Sequence, residues 1–170
     1  WEGPEVLKLA YYYFDQDHYL KTGWLYDQSN WYYLAKTGNS GNKNLGGERR
    51  AGWINDGSAW YYLDSETGIM QTGWQYLGNK WYYLRSSGAM ATGWVKDGST
   101  WYYLDAQNGD MKTGWAYVGN SWYYLRSSGA MSTGWVKDNG KWYYLASSGN
   151  MLRNTRTPDG YYVDGSGAWK

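Results

Sequence analysis

A unit of about 20 residues recurs along this 170-residue chain, and the recurrence restricts the fold more than any other feature. A Gly-Trp pair appears with Trp24, Trp53, Trp74, Trp94, Trp115 and Trp135. A Trp-Tyr-Tyr-Leu string begins at Trp31, Trp60, Trp81, Trp101, Trp122 and Trp142, always seven residues after the first Trp. Successive units are 29, 21, 20, 21 and 20 residues apart, and a Met stands four residues before the first Trp at Met70, Met90, Met111 and Met131. A unit this short cannot bury an apolar face alone. It must stack on its neighbours, which predicts a quasi-linear array.

Each unit reads as a β-hairpin. In residues 94–104 an Asp-Gly pair separates two short aromatic runs, a strong hairpin signal. With Asp97-Gly98 as the two-residue turn, Trp94 opposes Trp101 and Val95 opposes Thr100. That register sets two indoles side by side on one face. Tyr103 shares this face and Tyr102 points to the other, so Tyr102, its equivalents and the Leu after them are expected in the core. The array is read as a single repeat domain over 1–170. It has a degenerate N-terminal cap at 1–20, a first repeat at 22–35, an insertion at 36–50, five regular repeats over 51–152 and a C-terminal cap at 153–170.

Composition narrows the function. Fourteen Trp and 21 Tyr against one Phe point to half-wet aromatic faces rather than a dry interior. A net charge of +1 lacks the positive field of a nucleic-acid binder, and no apolar run reaches membrane-spanning length. There is no Cys and one His, His18, so thiol chemistry, a transition-metal site and a His-based triad have little to build on. Asp15 and Asp17 read as a solvated turn. No catalytic residue, metal site or cofactor is expected, and the chain is read as a binding module rather than an enzyme.

The Trp pairs need their own explanation. Packing alone accepts Leu, Ile, Val or Phe at such positions, yet all six units keep Trp at both. A flat, electron-rich face attracts a cation, and a trimethylammonium group, with no N–H to donate, needs such faces most. Two indoles give two walls. A Tyr of the following hairpin gives a third, and a polarizable Met suits the seam.

The Thr-Gly-Trp, turn, Trp-Tyr-Tyr-Leu, Gly-x-Met pattern resembles the choline-binding repeats of pneumococcal surface proteins and murein hydrolases, over roughly residues 11–169. The resemblance implies an all-β, left-handed solenoid of stacked β-hairpins that binds choline of teichoic acids between consecutive repeats. It places the chain at the surface of a Gram-positive cell wall. Carried over, Trp53 and Trp60 are closed by Tyr83 with Met70, and Trp74 and Trp81 by Tyr103 with Met90. Trp94 and Trp101 take Tyr124 and Met111, Trp115 and Trp122 take Tyr144 and Met131, and Trp135 and Trp142 take Tyr162 and Met151. Trp24 and Trp31, with Tyr62, stand apart, because the insertion intervenes and Arg49 occupies the Met place, where a cation disfavours choline. Phosphocholine of teichoic acids is the expected partner, and terminal hairpins with exposed aromatics offer a dimer contact. The alternative is a carbohydrate-binding array, since sugars also stack on Trp.

Overall fold

The computed structural model describes residues 13–14, 16–36 and 46–170. Most of the expected N-terminal cap and residues 37–45 of the insertion lie outside the described residues. The described chain is all-β and built from hairpins, as the repeat predicts. β1 (Gly23–Asp27) pairs with β2 (Asn30–Leu34), β3 (Gly52–Asn55) with β4 (Trp60–Leu63), and β5 (Gly73–Leu77) with β6 (Lys80–Leu84). β7 (Gly93–Asp97) pairs with β8 (Thr100–Leu104), β9 (Gly114–Val118) with β10 (Ser121–Leu125), and β11 (Gly134–Asp138) with β12 (Lys141–Leu145). A shorter pair, β13 (Thr155–Arg156) and β14 (Tyr162–Val163), ends the series. Two compact units are distinguished: the described part of Trp1–Gln75 with Leu84–Met90, and Tyr76–Tyr83 with Ala91–Lys170.

The register differs from the expected one. Asp97 pairs with Thr100, so Trp94 lies opposite Tyr103 and Lys96 opposite Trp101. The turn is Gly98-Ser99, with Gly98 at φ +57°, which suits a two-residue turn that needs Gly at its first central position. Asp97 thereby becomes the last strand residue. Moving the turn by one residue shifts the pairing by two, which keeps every side chain on its face. The two indoles therefore still share a face, as diagonal neighbours rather than a directly opposed pair. The other units place the first Trp against the second Tyr in the same way: Trp24 with Tyr33, Trp53 with Tyr62, Trp115 with Tyr124 and Trp135 with Tyr144.

Within each compact unit, one residue per hairpin is fully buried at the centre, with Tyr33 and Ile54 in the first unit and Val95 in the second also buried. Leu34, Leu63 and Leu84 in the first unit are fully buried, as are Leu104, Leu125, Leu145 and Val163 in the second. After each Leu the chain turns back, and the Met that follows bridges to it, as in Leu63–Met70, Leu104–Met111 and Leu125–Met131. The same Met then ties two hairpins together. The Met131 N–H donates to the carbonyl of Trp101 in the preceding hairpin, at 2.8 Å. Met70 does this to Trp31 and Met90 to Trp60 in the first unit, and Met111 to Trp81 and Met151 to Trp122 in the second.

The Met side chains explain one glycine per unit. Gly149 adopts φ +88°, and a Cβ there would lie 2.3 Å from the Met131 sulfur. Gly88 under Met70 and Gly129 under Met111 are equally confined. Gly140, in the hairpin turn, has φ +79° but open space around it. Gly140→Ala should therefore cost about 1 kcal/mol from backbone strain alone. Gly149→Ala should cost more, by roughly a further 1 kcal/mol, because the end of the Met131 side chain must shift to admit the methyl group. Urea denaturation midpoints of the two variants test this order.

Candidate aromatic boxes

The geometry of one box follows from how hairpins stack. Trp94 on β7 is half-buried and Trp101 on β8 is 40% exposed, with ring centroids 6.4 Å apart and planes at 88°. Tyr103, opposite Trp94, packs edge-on against it at 5.0 Å. The next hairpin presents its opposite face, so the tyrosine that reaches Trp94 is Tyr123, at 4.8 Å. Met131 and Ser148 complete the lining of a cavity of about 220 Å³. Tyr124, expected in this place, instead packs at 5.0 Å against Trp115 of its own hairpin. Met111, also expected here, has its backbone on Trp81. Hairpins packed front to back join a front-face Trp to a back-face Tyr. Tyr123, an equivalent of Tyr102, is therefore a box wall rather than a core residue.

The pattern repeats in the second unit. Trp115 and Trp122 stand 6.4 Å apart at 87°, with Tyr143 of the next hairpin 4.9 Å from Trp115 and the Met151 N–H on the Trp122 carbonyl. Tyr144 is held 5.2 Å from Trp135 on its own hairpin. Trp135 and Trp142 are 6.5 Å apart at 90°. Their partner from the last hairpin is Tyr161, 5.8 Å from Trp135, while Tyr162 pairs in the ladder with Arg156. Trp169 takes the Met place, with its N–H on the Trp142 carbonyl and its ring 6.4 Å from Trp135. Together with Asp159 these residues line a cavity of about 350 Å³.

The first unit gives the pair that the sequence set apart an ordinary box. Trp24 and Trp31 are 6.3 Å apart at 88°, Tyr61 lies 4.6 Å from Trp24, and the Met70 N–H bonds the Trp31 carbonyl. Arg49 does hold the Met place of its own repeat, bridging Leu34. Because that residue reaches one hairpin further along, Arg49 lies over Gly68, and its guanidinium donates to the Glu66 carbonyl. Tyr62 stays with Trp53, at 5.3 Å. Trp60 is exposed and carries the Met90 N–H on its carbonyl; Trp74 lies on β5, Trp81, Tyr82 and Tyr83 on β6.

Carboxylates orient several of the first indoles. Trp24 Nε1 donates to Asp56 Oδ2 at 2.9 Å, Trp115 Nε1 to Asp138 Oδ2 at 3.1 Å, and Trp135 Nε1 to Asp159 Oδ2 at 2.8 Å. Each acceptor comes from the next hairpin's turn region. From sequence, Asp56 and Asp138 read only as turn residues with a local backbone role. Asp56 performs both, since its other oxygen accepts from the Ser58 N–H and hydroxyl and from the Ala59 N–H. The Ser58 hydroxyl first, and then the Trp24 indole, hold its carboxyl far below the usual carboxylate range. The hydroxyl of Thr157, then the Trp135 indole, lower Asp159. Among the described residues, no group of three or more His, Asp or Glu is placed to hold a metal ion.

Repeated aromatic hairpins of this kind have known counterparts. The choline-binding repeat family matches residues 71–114 and 112–155, and a putative cell wall binding repeat matches 22–40 and 51–70. CbpJ from Streptococcus pneumoniae TIGR4 is 64% identical over 94% of this chain, with a TM-score of 0.76. The chain belongs to the choline-binding repeat family. Choline-binding protein F from Streptococcus pneumoniae, solved in the presence of a peptidoglycan analogue, is 50% identical over 94% of the chain, with a TM-score of 0.68. The multimodular pneumococcal cell wall endolysin from phage Cp-1, complexed with choline, is 38% identical over 71% of it, with a TM-score of 0.52. This choline-binding repeat chain spans 61% of the CbpJ and choline-binding protein F chains and 37% of the endolysin. No curated protein matches it.

The Asp56 contacts carry a pH signature. A carboxyl whose folded pKa is depressed adds stability that is present above its unfolded value, about 3.9, and lost as pH falls through the lower folded value. Both Asp56 oxygens are engaged, so an amide must forfeit one set of donors. Asp56→Asn should lower stability at pH 7 by about 1 kcal/mol, the exposure of the site limiting the effect. In paired urea titrations the gap from the parent chain should close as pH is taken below 4.

Proposed function

We propose that the boxes hold the trimethylammonium group of phosphocholine and so attach the chain, without a covalent bond, to teichoic and lipoteichoic acids at the bacterial cell surface. The observation that carries this reading is the state of the second indole. Trp31, Trp101, Trp122 and Trp142 are each 38–43% exposed, yet each stands beside a half-buried Trp that a tyrosine of the next hairpin closes. A folding core has no use for such an exposed indole, whereas a quaternary ammonium gains from two or three π faces together with apolar contact. By this reading the working boxes are Trp24–Trp31 with Tyr61, Trp94–Trp101 with Tyr123, Trp115–Trp122 with Tyr143, and Trp135–Trp142 with Tyr161. The Trp53–Trp60 and Trp74–Trp81 pairs have the same spacing in sequence. The family match and the choline carried by the related endolysin support the assignment.

A single box has little to grip. A binding free energy of about −4 kcal/mol corresponds to a dissociation constant of about 1 mM. Several boxes on one polymer make later contacts intramolecular and raise avidity by about 10²–10⁴. The module acts by binding and carries no reaction of its own.

Titration of intrinsic Trp fluorescence tests this with choline and its neutral isostere, 3,3-dimethylbutanol. Choline should bind at least several-fold more tightly, and Trp101→Ala should remove one site while leaving Trp135–Trp142 intact. Equal affinity for the two ligands contradicts a cation-binding box. A saturable response to a cell-wall oligosaccharide with none to choline assigns the arrays to carbohydrate.

A further inference from the structure

The boxes of the second unit share their rings and differ in the charges set against them. At Trp94–Trp101 the residue opposite Trp101 is Lys96, whose Nζ lies over the Trp101 ring, 5.8 Å from its centroid. Val118 ends β9 there, at the position where Asp138 ends β11. At Trp115–Trp122 the arrangement is reversed. Trp115 donates to Asp138, and the residue opposite Trp122 is Tyr117, whose ring is 5.2 Å away. Asn139 Nδ2 also donates to Asp138 Oδ2, and Lys141 is the cross-strand partner of Asp138. Trp135–Trp142 carries both signs: Asp159 on the Trp135 indole and Lys137 Nζ 5.7 Å from the Trp142 centroid.

We propose that these charges sort the boxes between bare choline and phosphocholine, an inference that rests on the trimethylammonium reading above. A carboxylate that accepts the indole N–H leaves the ring richer in electrons and adds a negative field, which favours any quaternary ammonium. The same carboxylate disfavours a phosphate. An ammonium over a wall of the box opposes a bare cation. It gains a partner when the ligand carries its own anion two carbons from the nitrogen, as phosphocholine does. Lys96 and Lys137 are therefore specificity-determining residues for the phosphate, and Asp138 and Asp159 for the cation. The preference for phosphocholine over choline is highest at Trp94–Trp101, intermediate at Trp135–Trp142 and lowest at Trp115–Trp122. These groups are at least partly exposed, so each charge shifts the ratio by about two- to fivefold.

The experiment is a per-site titration of the ¹⁵N-labelled 170-residue chain. It follows the indole N–H resonances of Trp94, Trp115 and Trp135, assigned by Trp→Phe variants, with choline and with phosphocholine. The phosphocholine-to-choline affinity ratio should be at least about fourfold higher at Trp94 than at Trp115. Lys96→Met should lower the ratio at Trp94 about two- to fivefold and leave Trp115 unchanged, and Lys137→Met should do the same at Trp135. Asp138→Asn should raise it at Trp115, since the amide oxygen still accepts the indole N–H and only the charge is gone. Equal ratios at the three boxes, or lysine variants that leave them unchanged, overturn the sorting while the trimethylammonium reading stands. Indoles that respond to neither ligand overturn both.

Discussion

Everything in this protein follows from the contact between the front of one hairpin and the back of the next. Its centre is an edge-on packing of a back-face tyrosine against a front-face tryptophan, at 4.6 Å for Tyr61 on Trp24, 4.8 Å for Tyr123 on Trp94 and 4.9 Å for Tyr143 on Trp115. Two-stranded hairpins are marginal alone. This contact, the buried Leu column and the Met N–H on the earlier Trp carbonyl supply the missing partner. The first Trp and the Tyr are thus bound into the fold. The second Trp, whose carbonyl accepts the Met-place N–H, leaves more of its ring exposed. The stack divides the pair into a packed first member and a more exposed second one.

The division explains which residues vary and which do not. Positions that make the stack vary little: Leu at the centre in all but the last hairpin, where it is Val163, Tyr behind, and Gly under the Met-place side chain. The Met place itself is more tolerant, since Arg49 lays its aliphatic stem over Gly68 and Trp169 closes the last box. Any long, flexible or flat side chain spans that seam. The residue opposite the second Trp is Tyr26 or Tyr117, Lys96 or Lys137, or Asn55, because it faces solvent and the stack places no demand on it. Charge varies where the fold is indifferent to it.

Much of this was legible in the sequence, and the differences trace to the turn and to the way the hairpins stack. The constant spacing of seven identified the hairpins and put both indoles on one face, because the side-chain period of two survives a pairing shift of two residues. The same insensitivity hid the true register. Asp97-Gly98 and Gly98-Ser99 are both good turn signals, and only the second is used. The tyrosine came with the resemblance and not with the register: Tyr124 shares a face with Trp115 in either pairing and packs on it, and front-to-back stacking brings Tyr123 to Trp94. Both tyrosines are present in all six Trp-Tyr-Tyr-Leu strings, more uniform than core positions require, so uniformity marks the pair without saying which one reaches the neighbouring hairpin. The Asp138 and Asp159 contacts to indole N–H groups had no local signature, since donor and acceptor lie 23 and 24 residues apart.

A crystal structure of the chain soaked with choline is the most direct measurement of the central claim. The quaternary nitrogen should sit among Trp94, Trp101 and Tyr123, within about 6 Å of each ring centroid, and take the equivalent place beside Trp24, Trp31 and Tyr61. Choline found against Tyr124 instead, or empty boxes at a saturating concentration, would contradict the account.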